Sequence, residues 1–281
     1  MSTSAVPTDT AAQPARPARR ALLPQNPRAR NLTLNALPVL GLVAVWWFVT
    51  AFVLVQPRLY PTPLAVAGEL VRILSGDGPL GSTYVHAAAT FSRLLVAWSG
   101  AFVIGTVLGV IGGRNRWFFD FCANPVWIAM AVPSVVWVYI FLVLFGIDNL
   151  VPITALLVLL TAPVFLGTAE GVRAVSPDMI EMCDSYKIGP IRRLFHFYLP
   201  SIAPYLVANA RVSFALGIRI VIIAEVIGLP NGVGLLVGYW SDSLYMAPLV
   251  AWGIILMLVG VAVDHLVFVP LQRRIRQETV G

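Results

Sequence analysis

The hydrophobic positions of this chain fall in long runs rather than in alternation or narrow stripes. A helix needs about 20 mostly apolar residues to cross a hydrocarbon core about 30 Å thick. Five stretches have that character: 34–55, 94–111, 123–145, 150–168 and 249–269. A sixth, 202–227, is long enough but carries Arg211, Arg219 and Glu225. The pattern predicts an all-α, polytopic membrane protein of six transmembrane helices. It assigns 1–33 to a disordered basic tail, 34–270 to the membrane domain and 271–281 to a second tail. The first tail is rich in Ala, Pro, Thr and Arg and has no apolar periodicity, so it lacks the apolar surface needed to order itself. The run at 34–55 exceeds a signal-peptide core and is followed by Gln56-Pro57-Arg58. With no small-residue cleavage site there, it reads as a retained first span.

Two stretches break the pattern. After Tyr60-Pro61-Thr62-Pro63, a short amphipathic helix is predicted with Leu64, Ala67, Leu70, Val71 and Leu74 on one face and Glu69 and Arg72 elsewhere. Such a helix lies in a membrane interface. The second stretch, about 169–200, is too polar to span. Within it, Ser176-Pro177-Asp178 supplies a helix start with serine as cap and proline at the first helical position. Asp178 and Glu181 then sit at the positive end of the helix dipole. Gly189-Pro190 breaks the chain, and a basic, aromatic helix resumes over 191–198.

Composition agrees with a lipid solvent. Apolar residues make up 58% of the 281 and charged residues 11%, and the mean hydropathy is +0.83. Soluble domains carry about a quarter charged residues. The net charge of +6 would point to nucleic acid in a soluble protein, but the cations are arranged for topology instead. With the N-terminus inside, the inner segments hold fourteen of the Lys and Arg residues and the outer segments only Arg58 and Arg72. That alternation follows the positive-inside rule and predicts cytoplasmic N- and C-termini. Cys122 and Cys183 have neither disulfide-framework numbers nor metal-ligand spacing.

The single lysine, Lys187, follows Tyr186, so the chain lacks the Gly-Lys of a phosphate-binding P-loop. It also has no Gly-x-Ser-x-Gly elbow and no His-Glu-x-x-His pair. His86, His196 and His265 lie far apart. The chain is therefore expected not to be an enzyme, with no cofactor, no metal and no nucleic-acid partner.

The stretch 181–200, EMCDSYKIGPIRRLFHFYLP, resembles the cytoplasmic EAA loop of the permease subunits of bacterial binding-protein-dependent ABC importers. Anchored on Leu199-Pro200, the pattern's glutamate falls on Glu181 and its glycine on Lys187, with Gly189 two residues later; Met182 and Cys183 replace its alanines and Phe197 its isoleucine. Tyr60–Pro63, Phe145-Gly146-Ile147, Ala224-Glu225, Gly228 and Gly232-Val233-Gly234 are similar to the branch importing sulfonate, taurine and nitrate. The resemblance implies a permease of the bacterial plasma membrane in which Asp178, Glu181, Lys187 and Gly189 form a coupling-helix loop. It also implies separate ATPase subunits that hydrolyse ATP, a second permease (the same chain or a paralogue) and an extracytoplasmic substrate-binding protein.

Charges inside a span cost roughly 2.5–3.5 kcal/mol each on insertion scales and so mark bundle interiors or pathways. Arg211, Arg219 and Glu225 are the candidates for lining a pathway for a small, anionic solute. Their structural alternative is ion pairing, of Glu225 with Arg219 or Arg93 for example. The rival function is an ion-gradient-driven secondary transporter, for which Glu225 and Asp264 are the acids available within the spans.

Overall fold

The computed structural model describes residues 27–54 and 56–278; the part of the predicted basic tail over 1–26 lies outside the described residues. All elements among them are helical. The chain divides into two compact units, 1–49 and 50–281. The first contains α1 (Pro27–Phe48), which begins ahead of the apolar run and continues into a π-helical turn, Val49–Val53. Its side chains Leu40, Leu42, Val45 and Trp47 are exposed, as lipid-facing apolar residues are.

The second unit is built on three long helices: α3 (Thr83–Arg114), α6 (Leu150–Arg173) and α9 (Leu199–Gly228). Lipid tails are as apolar as leucine, so helix association in a bilayer depends on close packing rather than on apolar burial. Gly105, Gly109 and Gly113 of α3 provide it at four-residue spacing. A Cβ at these positions would come within 2.8, 2.6 and 2.5 Å of the side chains of Val164, Thr168 and Val172 of α6. Gly167 and Gly171 on another face of α6 seat Asn209 and Tyr205 of α9 in the same way. Leu94, Ala97, Leu156, Leu160, Val207 and Phe214 fill the contact among the three helices.

Three helices are long and apolar enough to cross a membrane singly: Thr83–Arg114, Leu150–Arg173 and Met246–Ile275. The last comprises α11 (Met246–Val263), a π-helical turn (Asp264–Phe268) and most of α12 (Val269–Glu278). Two bent pairs join them. One is α4 (Arg116–Ala131) with α5 (Ser134–Phe145), bent by 98°. The other is the helix through α9 with α10 (Val233–Asp242), bent by 57°. Together with Leu40–Val53 they account for the six apolar segments of the sequence.

The stretch 123–145, predicted as one continuous span, is broken at Val132-Pro133. Val132 is extended (φ −76°, ψ 128°), because a following proline disfavours the helical conformation of the residue before it. The second break is alike: Leu229, which precedes Pro230, is extended (φ −102°, ψ 146°).

The predicted short helix is α2 (Pro63–Leu74), capped by Thr62, whose hydroxyl accepts from the Ala65 N–H. Leu64, Val71 and Leu74 of its predicted apolar face are exposed, while Val66, Glu69 and Ile73 are buried. Glu69 faces inward because Tyr245 donates to its Oε1 at 3.0 Å and Arg72 pairs with it at 3.5 Å. Burial, followed by the contact with Glu69, pushes the Tyr245 phenol up from its ordinary pKa.

Candidate functional site

The polar segment after α6 forms a helical hairpin. Ser176 caps α7 (Pro177–Ser185), its Oγ accepting from the Met179 N–H. The helix ends in a Schellman arrangement, with the Ile188 N–H donating to the Cys183 carbonyl and the Lys187 N–H to the Asp184 carbonyl, both at 3.0 Å. That motif puts the residue after the cap in the left-handed region, where glycine is usual, and Lys187 has φ 50°. Lys187 is also where the EAA pattern has its glycine. The left-handed conformation costs an ordinary side chain roughly 1–2 kcal/mol. Lys187→Gly is therefore expected to tighten this end of α7, slowing hydrogen exchange of the Ile188 amide about fivefold. Unchanged or faster exchange would contradict the assignment.

Gly189 accepts from the Arg193 N–H at 2.9 Å and starts α8 (Pro190–Arg193). This helix passes through a π-helical turn, Leu194–Tyr198, into α9. Arg193 pairs back to Asp184 of α7 at 2.8 Å, and Cys183 is buried beneath the hairpin. Val175, Met179, Phe197 and Tyr198 close around it without room for a water molecule. Asp178, Glu181, Lys187 and Gly189 all lie exposed on this hairpin. Tyr186, not singled out by the sequence, is 77% exposed at its turn.

At the opposite end of α9, Glu225 is fully buried. Its Oε1 accepts from Arg93 Nη1 at 2.7 Å, and its Oε2 accepts from Thr90 Oγ1 at 2.7 Å and the Gly234 N–H at 2.9 Å. Arg93 also donates to Asn149 Oδ1 from Nε and Nη2, at 2.8 and 2.6 Å. It reaches the Asn231 carbonyl at 3.0 Å and the Asn231 side chain. Thr90 Oγ1 accepts from the Val233 N–H, and His86 Nδ1 from the Gly232 N–H. The turn between α9 and α10 is thus held against α3 by one charge pair and its hydrogen bonds. Gly232 has φ 123°, and a Cβ there would stand 2.3 Å from the Glu225 carboxyl carbon. The Gly232-Val233-Gly234 motif is therefore the space the carboxylate occupies.

The three pathway candidates consequently separate. Glu225 is enclosed with Arg93. Arg211 donates from Nη2 to Asp264 Oδ2 at 2.6 Å. Arg219 alone of the three is exposed without an ion pair or hydrogen bond among the described residues. It stands two-thirds of the way along α9 in an exposed stripe with Ala208, Val212, Ala215 and Val226.

Residues 105–277, from the middle of α3 to α12, match the family described as binding-protein-dependent transport system inner membrane component. The chain belongs to this family. Among its relatives, the taurine transport system permease protein of Escherichia coli (strain K12) is 25% identical over 212 residues, covering 75% of this chain and 77% of that protein. The putative aliphatic sulfonates transport permease protein of the same organism is 28% identical over 200 residues, covering 71% and 74%. The nitrate import permease protein of Synechocystis sp. is 24% identical over 186 residues, covering 64% and 65%. A chain of the MetNI methionine ABC transporter in an inward-facing conformation shares the fold, with a TM-score of 0.55 at 15% identity over 69% of this chain and 96% of that one. The chain is an ABC importer permease, and the match contains the hairpin, the whole of α9 and the Glu225 turn.

Sequence reasoning named Arg93 as one of two possible partners of Glu225 but missed Thr90, His86, Asn149 and Asn231. The signal that could have found them is the excess of hydrogen-bonding side chains at the start of α3, in the turn before α6 and beside the Leu229-Pro230 break, in a chain otherwise so apolar.

Proposed function

We propose that this permease lines the translocation pathway of an ATP-driven importer along the exposed face of α9, and receives the ATPase through the α7–α8 hairpin. The observation that carries the first part is Arg219. An unpaired guanidinium within a span does not face lipid without a cost of several kcal/mol, and Arg219 has no partner among the described residues. That face of α9 accordingly meets water and a second permease, the same chain or a paralogue. Relatives named for taurine, aliphatic sulfonates and nitrate agree with a small anion as the solute, which a cation in the pathway attracts.

The hairpin supports the second part. Its helix α7 is capped at both ends, and the hairpin is continuous with α9 through the π-helical turn and exposes Asp178, Glu181, Tyr186 and Lys187 for a partner. The ATPase is a separate subunit, since this chain has no Gly-Lys phosphate loop, and an extracytoplasmic binding protein delivers the solute. The hairpin and both termini face the cytoplasm of a bacterial inner membrane, and 34–270 constitutes the permease domain. Both intramembrane acids of the secondary-transport alternative are engaged, Asp264 by Arg211 and Glu225 by Arg93.

Arg219→Gln removes one charge-assisted contact, worth about 1.5–3 kcal/mol. It should raise the concentration for half-maximal uptake by tenfold or more, with ATP hydrolysis in the reconstituted complex retained. Unchanged uptake kinetics would overturn the assignment of Arg219.

A further inference from the structure

A groove of about 540 Å³ runs from Phe195 of the π-helical turn along α9 to Ala210. Trp98 and Phe102 of α3 form one wall and Phe268 and Leu271 the other. Trp98 is fixed in it by a bond from Nε1 to Ser213 Oγ at 3.0 Å and by edge contacts with Phe214 and Phe268. At 1.5 Å per residue the groove is about 22 Å long, against about 15 Å for one leaflet's share of the hydrocarbon core. A helix of that length, about 10–12 Å across, fills on the order of 2000 Å³. All the open space in the groove, about 1050 Å³, is about half of that, so it does not enclose a helix; its apolar walls suit an extended hydrocarbon chain.

Its two ends differ in charge. At the Ala210 end, the neighbouring Arg211 is neutralised by Asp264. At the other end, Phe195 also borders a second depression, lined by Ile191, Arg192 and His196. Arg192 is exposed there, and Arg273 and Arg274 are exposed on α12 between the groove residues Leu271 and Ile275. None of these three arginines has an acidic partner among the described residues. Two π-helical turns border the groove, Leu194–Tyr198 through Phe195 and Asp264–Phe268 through Phe268; such turns are frequent at functional sites.

We infer that this groove binds one anionic phospholipid, with an acyl chain along α9 and the phosphate at Arg192, His196, Arg273 and Arg274. The lipid joins α12 to the π-helical turn that connects the hairpin to α9, so it would steady the hairpin against the membrane. The inference is independent of what the permease transports.

The test is native mass spectrometry of the full-length chain released from detergent, titrated with phosphatidylglycerol or with phosphatidylcholine of the same acyl chains. One phosphatidylglycerol per chain should be retained in preference to phosphatidylcholine. Arg192→Gln, Arg273→Gln and Arg274→Gln together should weaken phosphatidylglycerol by about a hundredfold, to the level of phosphatidylcholine. These arginines are exposed, so folding is expected to survive. Ala203→Phe, which fills the groove, should displace the lipid even with all the arginines present. Equal retention of the two lipids, or retention unaffected by the triple variant, would overturn the site. So would a lipid-free chain in which a second copy shields Ala203→Cys from alkylation.

Discussion

Glu225→Ala is expected to destabilise the folded permease by about 3–5 kcal/mol, because it leaves the Arg93 guanidinium buried without its counter-charge. The carboxylate accepts from three groups at once, Arg93, Thr90 and the Gly234 amide. Its loss therefore also strands the Gly234 N–H in a place water does not reach, while the Thr90 hydroxyl keeps the His86 carbonyl at 3.2 Å as an acceptor. Arg93→Ala should cost a similar amount for the converse reason. Replacing both residues with apolar side chains of similar volume, Arg93→Met with Glu225→Leu, should recover a substantial part of the loss, since breaking a buried pair costs more than removing it. Thermal unfolding of the detergent-solubilised chain, followed by size-exclusion chromatography, checks the series. A double variant no more stable than either single one would mean that the backbone geometry around Gly232, not the charge pair, holds the turn.

The second large effect is functional. Tyr186→Ala should leave the melting temperature of the permease unchanged, because the side chain is 77% exposed, yet abolish most ATP-driven uptake. Exposed aromatic side chains at the centre of an interface commonly contribute 2 kcal/mol or more to binding, which is about a thirtyfold loss of affinity for the proposed ATPase contact. Tyr186→Asp should go further and prevent the complex from being isolated. Glu181→Gln, in the same hairpin but within the helix, should have a smaller effect. Normal uptake by the Tyr186→Asp variant would remove the hairpin from the proposed coupling route.

The spans were legible because each is a sum over some twenty residues, which no single polar position overturns. Breaks within them were not. Pro125, Pro163 and Pro204 remain inside helices α4, α6 and α9, whereas Pro133 ends one. A membrane helix tolerates an internal proline where its surroundings can re-satisfy the freed backbone, and tertiary packing of that kind leaves no local mark in the sequence. Helix α10 escaped because its ten residues are too few to register as a span.

Among the site residues, position 187 was picked out by the spacing of the EAA pattern, and its φ of 50° supplies the physical reason for a glycine there. The fate of Glu225 required three dimensions. Arg219 is close in sequence but points away from it, while Arg93 is 132 residues distant and in contact. For the same reason Arg211, Arg219 and Glu225 look equivalent in the sequence, and only the fold distinguishes two engaged charges from one with no partner among the described residues.

The most direct test of the central claim is photo-crosslinking from position 186 in native membranes, with a photoreactive amino acid replacing Tyr186 in the full chain and the adduct identified by mass spectrometry. Attachment to a nucleotide-binding ATPase subunit is the result predicted by a permease driven through the α7–α8 hairpin. Attachment only to lipid, from a complex that still transports in an ATP-dependent manner, would contradict it.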